Sequence, residues 1–218
     1  RERVGVLDLS SFATFEVSGA GAAAFLDRLS ANRVPAKAGG VALVHMLNEF
    51  GGIECEMTIT RLSGDRFYLL SGATARVRDL DWMRRHLPDD GGVAIEDVTE
   101  ARGTLVVTGP QSREVLAALT DADLSNEGFP WMSAREIAVA GVAVLALRVS
   151  YAGELGWELH HDIDDQPALY DAVMEAGKAH GIVDFGMRAL DSMRLEKGYR
   201  ALGTEMTTET TPFEAERA

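Results

Sequence analysis

The chain has 218 residues, 46% of them hydrophobic, and 34 acidic against 21 basic side chains give a formal net charge of -13. That length holds one large domain or two small ones, and the negative field repels a phosphate backbone, so no nucleic acid is expected as partner. The single cysteine, Cys55, excludes an internal disulfide, and no apolar run reaches the ~20 residues that span a bilayer, so no membrane is expected either. Residue 1 is Arg, and Val4 to Leu9 is too short and acidic for the core of a signal peptide. A cytoplasmic fragment of a longer protein is expected, or one in the mitochondrial matrix if the source is eukaryotic.

From the amino terminus, Val4 to Leu9 and Thr14 to Val17 read as strands. A turn at Ser18-Gly19-Ala20-Gly21 then leads into a helix over about 22–29, with Phe25, Leu26 and Leu29 on one face. The turn matches a dinucleotide-binding fingerprint, and that reading is rejected. Its counterpart further on reads Gly109-Pro110-Gln111, so only the first glycine is shared, and no acidic residue stands where a ribose contact would need it.

Next, Asn48-Glu49-Phe50-Gly51-Gly52 is a polar turn. It feeds a strand in which Ile53, Cys55, Met57 and Ile59 alternate with Glu54, Glu56, Thr58 and Thr60. The glycines let a backbone come close to a ligand beside the carboxylates. A solvated strand face is the plainer alternative.

The pattern then repeats with a constant offset of 90 residues: Gly19 matches Gly109, Leu26 matches Leu116, and Leu29 matches Leu119. Arg66 to Leu70, with the helix to Leu87, corresponds to Gly156 to His160, with the helix to Gly177. Each half reads strand–helix–strand–strand–helix with a further strand, the split βαβ arrangement used twice. The expected fold is α+β, a duplicated ferredoxin-like core with pseudo-two-fold symmetry and a ligand cavity between the halves. The first repeat is expected over 1–90 and the second over 91–203, with 204–218 leading to a β-domain that is not present. In the second half, Asp184 is expected to cap a helix that runs to about Lys197 and stops at Gly198, with Met187, Leu190 and Met193 inward.

The histidines give no metal signature. His160 and His161 are adjacent and point to opposite strand faces, the other three are scattered, and no metal centre is expected. The hairpin Ser150-Tyr151-Ala152-Gly153-Glu154-Leu155-Gly156-Trp157-Glu158 places two carboxylates on an otherwise apolar segment. A bidentate carboxylate suits the amino-amidine edge of a pterin or purine, which offers two parallel N–H donors. A hairpin with charged tips is the alternative, for which Glu154 is the better candidate. Arg188 lies at helical spacing from Asp191 and Ser192. It is either part of a salt-bridged surface helix or the local cation that could hold a ligand carboxylate.

These stretches together resemble the glycine-cleavage T-protein (aminomethyltransferase) family. They are most similar to the folate-binding region on the C-terminal side of dimethylglycine and sarcosine dehydrogenases. The resemblance is carried by Met46 to Glu49 with Gly51 to Glu56, by Ser150 to Glu158, by Asp191 to Arg200, and by Thr211 to Ala215. It implies a tetrahydrofolate site between the repeats, with Glu56 beside the reacting nitrogens, Tyr151, Glu154 and Glu158 on the pterin side, and Arg188 near the benzoyl-glutamate tail. It further implies an N-methylated amine or iminium substrate and an upstream flavin domain, with FAD only in that absent domain. A stand-alone aminomethyl or methyl transferase and a non-catalytic folate-binding scaffold are the alternatives. Glu56 departs from the Asp usual in the T-protein, and Leu43 stands where many relatives have an aromatic or His.

Overall fold

A computed structural model describes residues 1–215. In chain order, β1 (Gly5–Asp8) and β2 (Ala13–Ser18) lead to α1 (Ala22–Leu29), then β3 (Val41–Leu47), β4 (Ile53–Arg61), β5 (Arg66–Ser71) and α2 (Arg76–Arg85). After β6 (Ala94–Asp97) come β7 (Arg102–Thr108), α3 (Ser112–Ala117), β8 (Ala134–Val139), β9 (Val142–Leu147), β10 (Gly156–Asp162), α4 (Gln166–Gly177), β11 (Val183–Asp184) and α5 (Met187–Glu196).

Two compact units result. One holds Phe12–Thr99 with the described residues from Arg200 onward, and its sheet runs β3-β4-β5-β2-β6. The other holds Arg1–Ser11 with Glu100–Tyr199, and its sheet runs β11-β1-β7-β10-β9-β8. In the five-stranded unit, β2 and β4 lie on either side of β5, each antiparallel to it, and are therefore parallel to each other. This is the expected split βαβ, with β3 added at one edge and β6 closing the other side of β2. The six-stranded unit repeats the order with β7, β8, β9 and β10 in place of β2, β3, β4 and β5.

The units are not the sequential segments 1–90 and 91–203. The strand beside β7 is β1, taken from the amino terminus, where β6 stands beside β2. Both closing strands are short apolar–acidic segments, Gly-Val-Leu-Asp and Ala-Ile-Glu-Asp, and their sequences alone do not reveal which sheet each joins.

The cores follow the strand alternation. Phe15, Val17, Met57, Ile59, Phe67 and Leu69 pack under α1 and α2, with Phe25, Leu26 and Met83 from the helices. Leu105, Val107, Trp157 and Leu159 do the same with Val115, Leu116, Leu169 and Val173. The turn glycines are explained by the closing strands. Gly19 has φ +116°, and a Cβ there would sit 2.3 Å from the carbonyl oxygen of Gly92. Gly109 has φ +123°, with the Arg3 carbonyl oxygen 2.4 Å from the same point. Those carbonyls also accept backbone N–H groups at the helix starts, from Gly21 and Gln111, so the turns leave no cradle for a pyrophosphate.

Two expectations about the last helix need correction. Asp184 does not cap α5, whose N-cap is Gly186. It belongs to β11, and its carboxylate accepts the Tyr170 hydroxyl at 2.9 Å. Leu190 is buried and Met193 half-buried, but Met187 is 48% exposed. The inward residue in the last turn is Arg194, which binds Asp191 and donates to the carbonyl of Tyr199.

Residues 200–215 pack as a strap on the β3–β4 turn, with Met206 and Ala215 buried against Ile53. The backbone N–H of Ile53 donates to the Thr210 carbonyl, and Asn48 Nδ2 donates to the Thr208 carbonyl. A Cβ on Gly52 would meet that Thr208 oxygen at 1.9 Å. The close approach that Gly52 permits is therefore made by the chain itself. Residues 216–218 of the expected connection lie outside the described residues.

Candidate functional site

β3 and β4 pair antiparallel across the Asn48–Gly52 turn, with a register shift at Met46/Leu47, and this register sets His45 directly opposite Glu56. Strand alternation sends Cys55 and Met57 into the core and both polar residues to the face without helices. There His45 Nε2 lies 2.7 Å from Glu56 Oε2, with the imidazole side chain 7% and the carboxylate side chain 16% exposed. Sequence reasoning singled out Glu56 but left His45 among the scattered histidines. A count outward from the Gly-Gly turn would have set His45 opposite Cys55; the register shift at Met46/Leu47 moves it onto Glu56, so turn length alone does not reveal the pair. Leu43, on the same face, lies opposite Thr58 and is partly exposed.

The six-stranded unit carries a second carboxylate–imidazole pair, arranged along one strand. Glu158 and His160 are two apart on β10 and share the face opposite Trp157 and Leu159. Both are buried, and His160 Nε2 is 3.4 Å from Glu158 Oε2. On the other side of the ring, Thr104 Oγ1 is 3.0 Å from His160 Nδ1. Glu158 Oε2 is buried without a hydrogen-bond donor among the described residues. Leaving a buried acceptor so costs about 1–3 kcal/mol, and more for a charged one.

The other expected residues separate in character. Glu154 is about one-fifth exposed and sits among cations, with Lys197 Nζ at 3.4 Å and Arg1 Nη1 at 4.0 Å. Its charge is therefore already balanced within the chain. Tyr151 is 36% exposed and stacks on Tyr199 with ring centroids 6.2 Å apart. Gly153, at φ +71°, lets the Lys197 side chain lie against the turn between them. Arg188 is exposed on the first turn of α5 and has no ion pair among the described residues. The structure thus gathers Tyr151 and Glu154 near the end of α5. Glu158 stands apart on the sheet face.

A cavity of about 550 Å³ lies in the six-stranded unit, lined by Arg1, Arg3, Thr108, Glu154, Phe185 and Met193 among others. It takes in Glu154 but none of Tyr151, Glu158 and Arg188. The Glu158 oxygen without a hydrogen bond is the stronger pointer to a ligand, because a cavity can stay filled by water whereas a buried polar atom left unbonded is costly. Among the described residues no group of three His, Cys, Asp or Glu side chains is placed to hold a metal ion, and no helix is long and apolar enough to cross a membrane.

Comparison with known proteins gives this geometry a family. Residues 1–217 match the model of the GCVT N-terminal domain. The human mitochondrial dimethylglycine dehydrogenase is 42% identical over 215 residues, which is 98% of this chain and 25% of that protein. The human mitochondrial sarcosine dehydrogenase is 35% identical over 229 residues, 99% of this chain and again 25% of that protein. Among solved structures, the glycine cleavage system aminomethyltransferase T from Bartonella henselae superposes with a TM-score of 0.84 at 28% identity. That match covers 97% of this chain and 56% of that one. The chain thus spans about a quarter of the length of these two dehydrogenases and matches the aminomethyltransferase fold over nearly its whole extent. By sequence and by fold, it belongs to the GCVT N-terminal domain family.

Proposed function

We propose that this chain is the tetrahydrofolate-binding part of an enzyme of the dimethylglycine or sarcosine dehydrogenase type. It would pass a one-carbon unit from an N-methyl amine, at the iminium level, to the folate. The flavin that oxidises the amine would belong to a region outside this chain, and the location would be the mitochondrial matrix in a eukaryote. The observation that carries the reading is Glu158, buried on a sheet face with Oε2 lacking a donor. The chemistry fits: the amino-amidine edge of a pterin offers two parallel N–H donors, which a carboxylate accepts as a bidentate pair. Glu154 has its own cations and is not needed for that role.

Tetrahydrofolate, when bound, supplies the nucleophilic nitrogen that accepts the one-carbon unit. Glu158 binds and orients. Glu56 offers a carboxylate that would stabilise developing positive charge and accept, on Oε1, the proton released by the attacking nitrogen. Tyr151 offers an aromatic face already braced by Tyr199. Arg188 supplies an exposed cation for an anionic tail.

A stand-alone aminomethyltransferase is the second reading, favoured by the 0.84 superposition on the Bartonella protein. The mass of the native gene product separates the two, since only a dehydrogenase carries a flavin region as well.

The test is calorimetric titration of the native gene product with 5-formyl-tetrahydrofolate. Saturable one-to-one binding is expected, weakened about 10–100-fold by Glu158→Ala, the loss of a charge-assisted pair, and under about threefold by Glu154→Ala. Absence of saturable binding overturns the folate assignment.

A further inference from the structure

We propose that His45 is the positioning residue of Glu56: its Nε2–H holds Oε2 and leaves Oε1 as the oxygen that faces a reacting group. This rests on the role given to Glu56 above and adds a residue that role does not include.

The geometry is specific. The pair is directly opposed across β3 and β4, so no backbone adjustment is needed to bring the ring to the carboxylate. Glu56 Oε2 is 2.7 Å from the ring nitrogen, while Oε1 has no hydrogen bond among the described residues. The backbone that carries the imidazole is itself held. The backbone N–H of His45 donates to Asn32 Oδ1 at 3.3 Å, its carbonyl accepts from Ala31 at 2.8 Å, and Asn32 Nδ2 donates to the Leu43 carbonyl at 2.9 Å. The segment after α1 thereby clamps β3 on both sides of the ring.

A positioning role answers a physical problem. Glutamate has one more rotatable bond than aspartate, and an untethered side chain of this type loses about 1.5–2 kcal/mol of rotamer freedom when it is fixed. A misplacement of about 1 Å at a reacting centre can cost roughly 100-fold in rate. The imidazole removes that freedom before any ligand arrives.

Three variants of the native gene product test the proposal: Glu56→Ala, His45→Asn and His45→Gln. Both amides are polar, but only glutamine is long enough to donate to Oε2. The readouts are kcat and KM for methylene transfer to tetrahydrofolate, folate Kd by calorimetry, and Tm. For His45→Asn, kcat is expected to fall about 10–100-fold with Kd within about threefold of the parent. His45→Gln is expected to recover most of the rate at a similar Tm. Impaired Glu56→Ala beside unimpaired His45→Asn overturns this proposal alone. So does equal loss in both His45 variants that follows Tm. Full transfer by Glu56→Ala overturns the role of Glu56 itself, and the role of His45 with it.

Discussion

The two units share a topology and differ in where each carries its polar pair. Pairing registers and the 90-residue offset allow position-by-position comparison. The His45–Glu56 rung on β3 and β4 has Ala138–Ala143 as its counterpart on β8 and β9. Conversely, Glu158 and His160 on β10 replace Tyr68 and Leu70 on β5, both buried. Among the described residues each copy has one carboxylate–imidazole pair, on different strands. What the copies keep alike is the frame: the positive-φ turn glycine, the closing strand and an arginine laid on an aromatic. Arg61 lies 5.0 Å over the Phe67 ring and donates to the carbonyls of Pro35 and Ala36. Its counterpart Arg148 lies 5.6 Å over the Trp157 ring and donates to the carbonyl of Phe129. Backbone geometry leaves the turn positions little freedom, whereas the helix-free sheet faces could diverge.

The largest effects should come from breaking that frame. Gly19→Ala and Gly109→Ala each force a Cβ into a carbonyl oxygen at a φ that alanine resists. Each should lower unfolding free energy by about 3 kcal/mol or more, measured by chemical denaturation. Comparable losses are expected from both. A tolerated Gly109→Ala would show that β1, supplied from the amino terminus, closes its sheet less firmly than β6 closes its own.

The helix sides of the two sheets provide the next contrast. Asp79 on α2 is fully buried, bonded to Ser71 Oγ and to Arg78 Nη2 at 2.9 Å, and its carboxylate stands beside the Cys55 thiol. The equivalent position on α4 is Leu169, in an apolar core. Asp79→Ala should cost about 2–3 kcal/mol, because it orphans a buried hydroxyl and a partly buried guanidinium. Asp79→Leu with Ser71→Ala should recover part of that, since it makes the site resemble its counterpart. No recovery would mean that the polar cluster is required by the shape of this core.

Much of this was legible in the sequence because it is local. The offset of 90 residues, α1 over 22–29, the β10 strand and the glycine stop at Gly198 follow from periodicity and turn chemistry. The sheet assigned to β1 was not, because strand pairing is a non-local choice between two similar sheets. Glu56 and Glu158 stood out as charges on strands with an apolar alternate face. His45 was missed because a register shift at Met46/Leu47, which the sequence does not show, brings it opposite Glu56, and Asp79 because a lone aspartate in a polar helix reads as surface. Arg188 was marked both by its helical spacing to Asp191 and Ser192 and by the family resemblance, and it stands exposed on the first turn of α5. Gly52 shows a right signal with the wrong partner, since backbone does approach it, from the strap at Thr208.

A smaller effect separates the cores by pH. Burial, and then the Asp79 carboxylate beside it, push the Cys55 thiol far above its ordinary value of 9.0. The folded protein therefore keeps that proton while the unfolded chain releases it, so the associated stability is complete below about pH 9 and declines as pH rises beyond it. The slope should approach 1.4 kcal/mol per pH unit, about one proton. Cys55→Ala should flatten urea-denaturation stability against pH between about 9 and 11 relative to the parent. Identical slopes in parent and variant would mean that the thiol is not the linked group. The native thiol should likewise resist a disulfide reagent until urea unfolds the chain.

The smallest expected change is a gain. In the six-stranded unit Arg148 shares one neutral acceptor, Asn126 Oδ1, with Arg113, at 2.7 and 2.8 Å respectively. Burial and the positive charge of Arg113 hold Arg148 below the usual guanidinium range. The corresponding Arg61 of the other unit spends its donors on the carbonyls of Ser63 and Gly64 as well as Pro35 and Ala36, with no second cation bonded to the same acceptor among the described residues. Asn126→Asp would give the two guanidiniums a carboxylate in nearly the same volume. Asn126 is exposed, so solvent screening limits the gain to about 0.5–1 kcal/mol. That gain should shrink toward zero in 1 M salt, where the Debye length is about 3 Å. A destabilised variant would mean that the Asn126 amide N–H groups hold the segment between α3 and β8 more firmly than the arginines do.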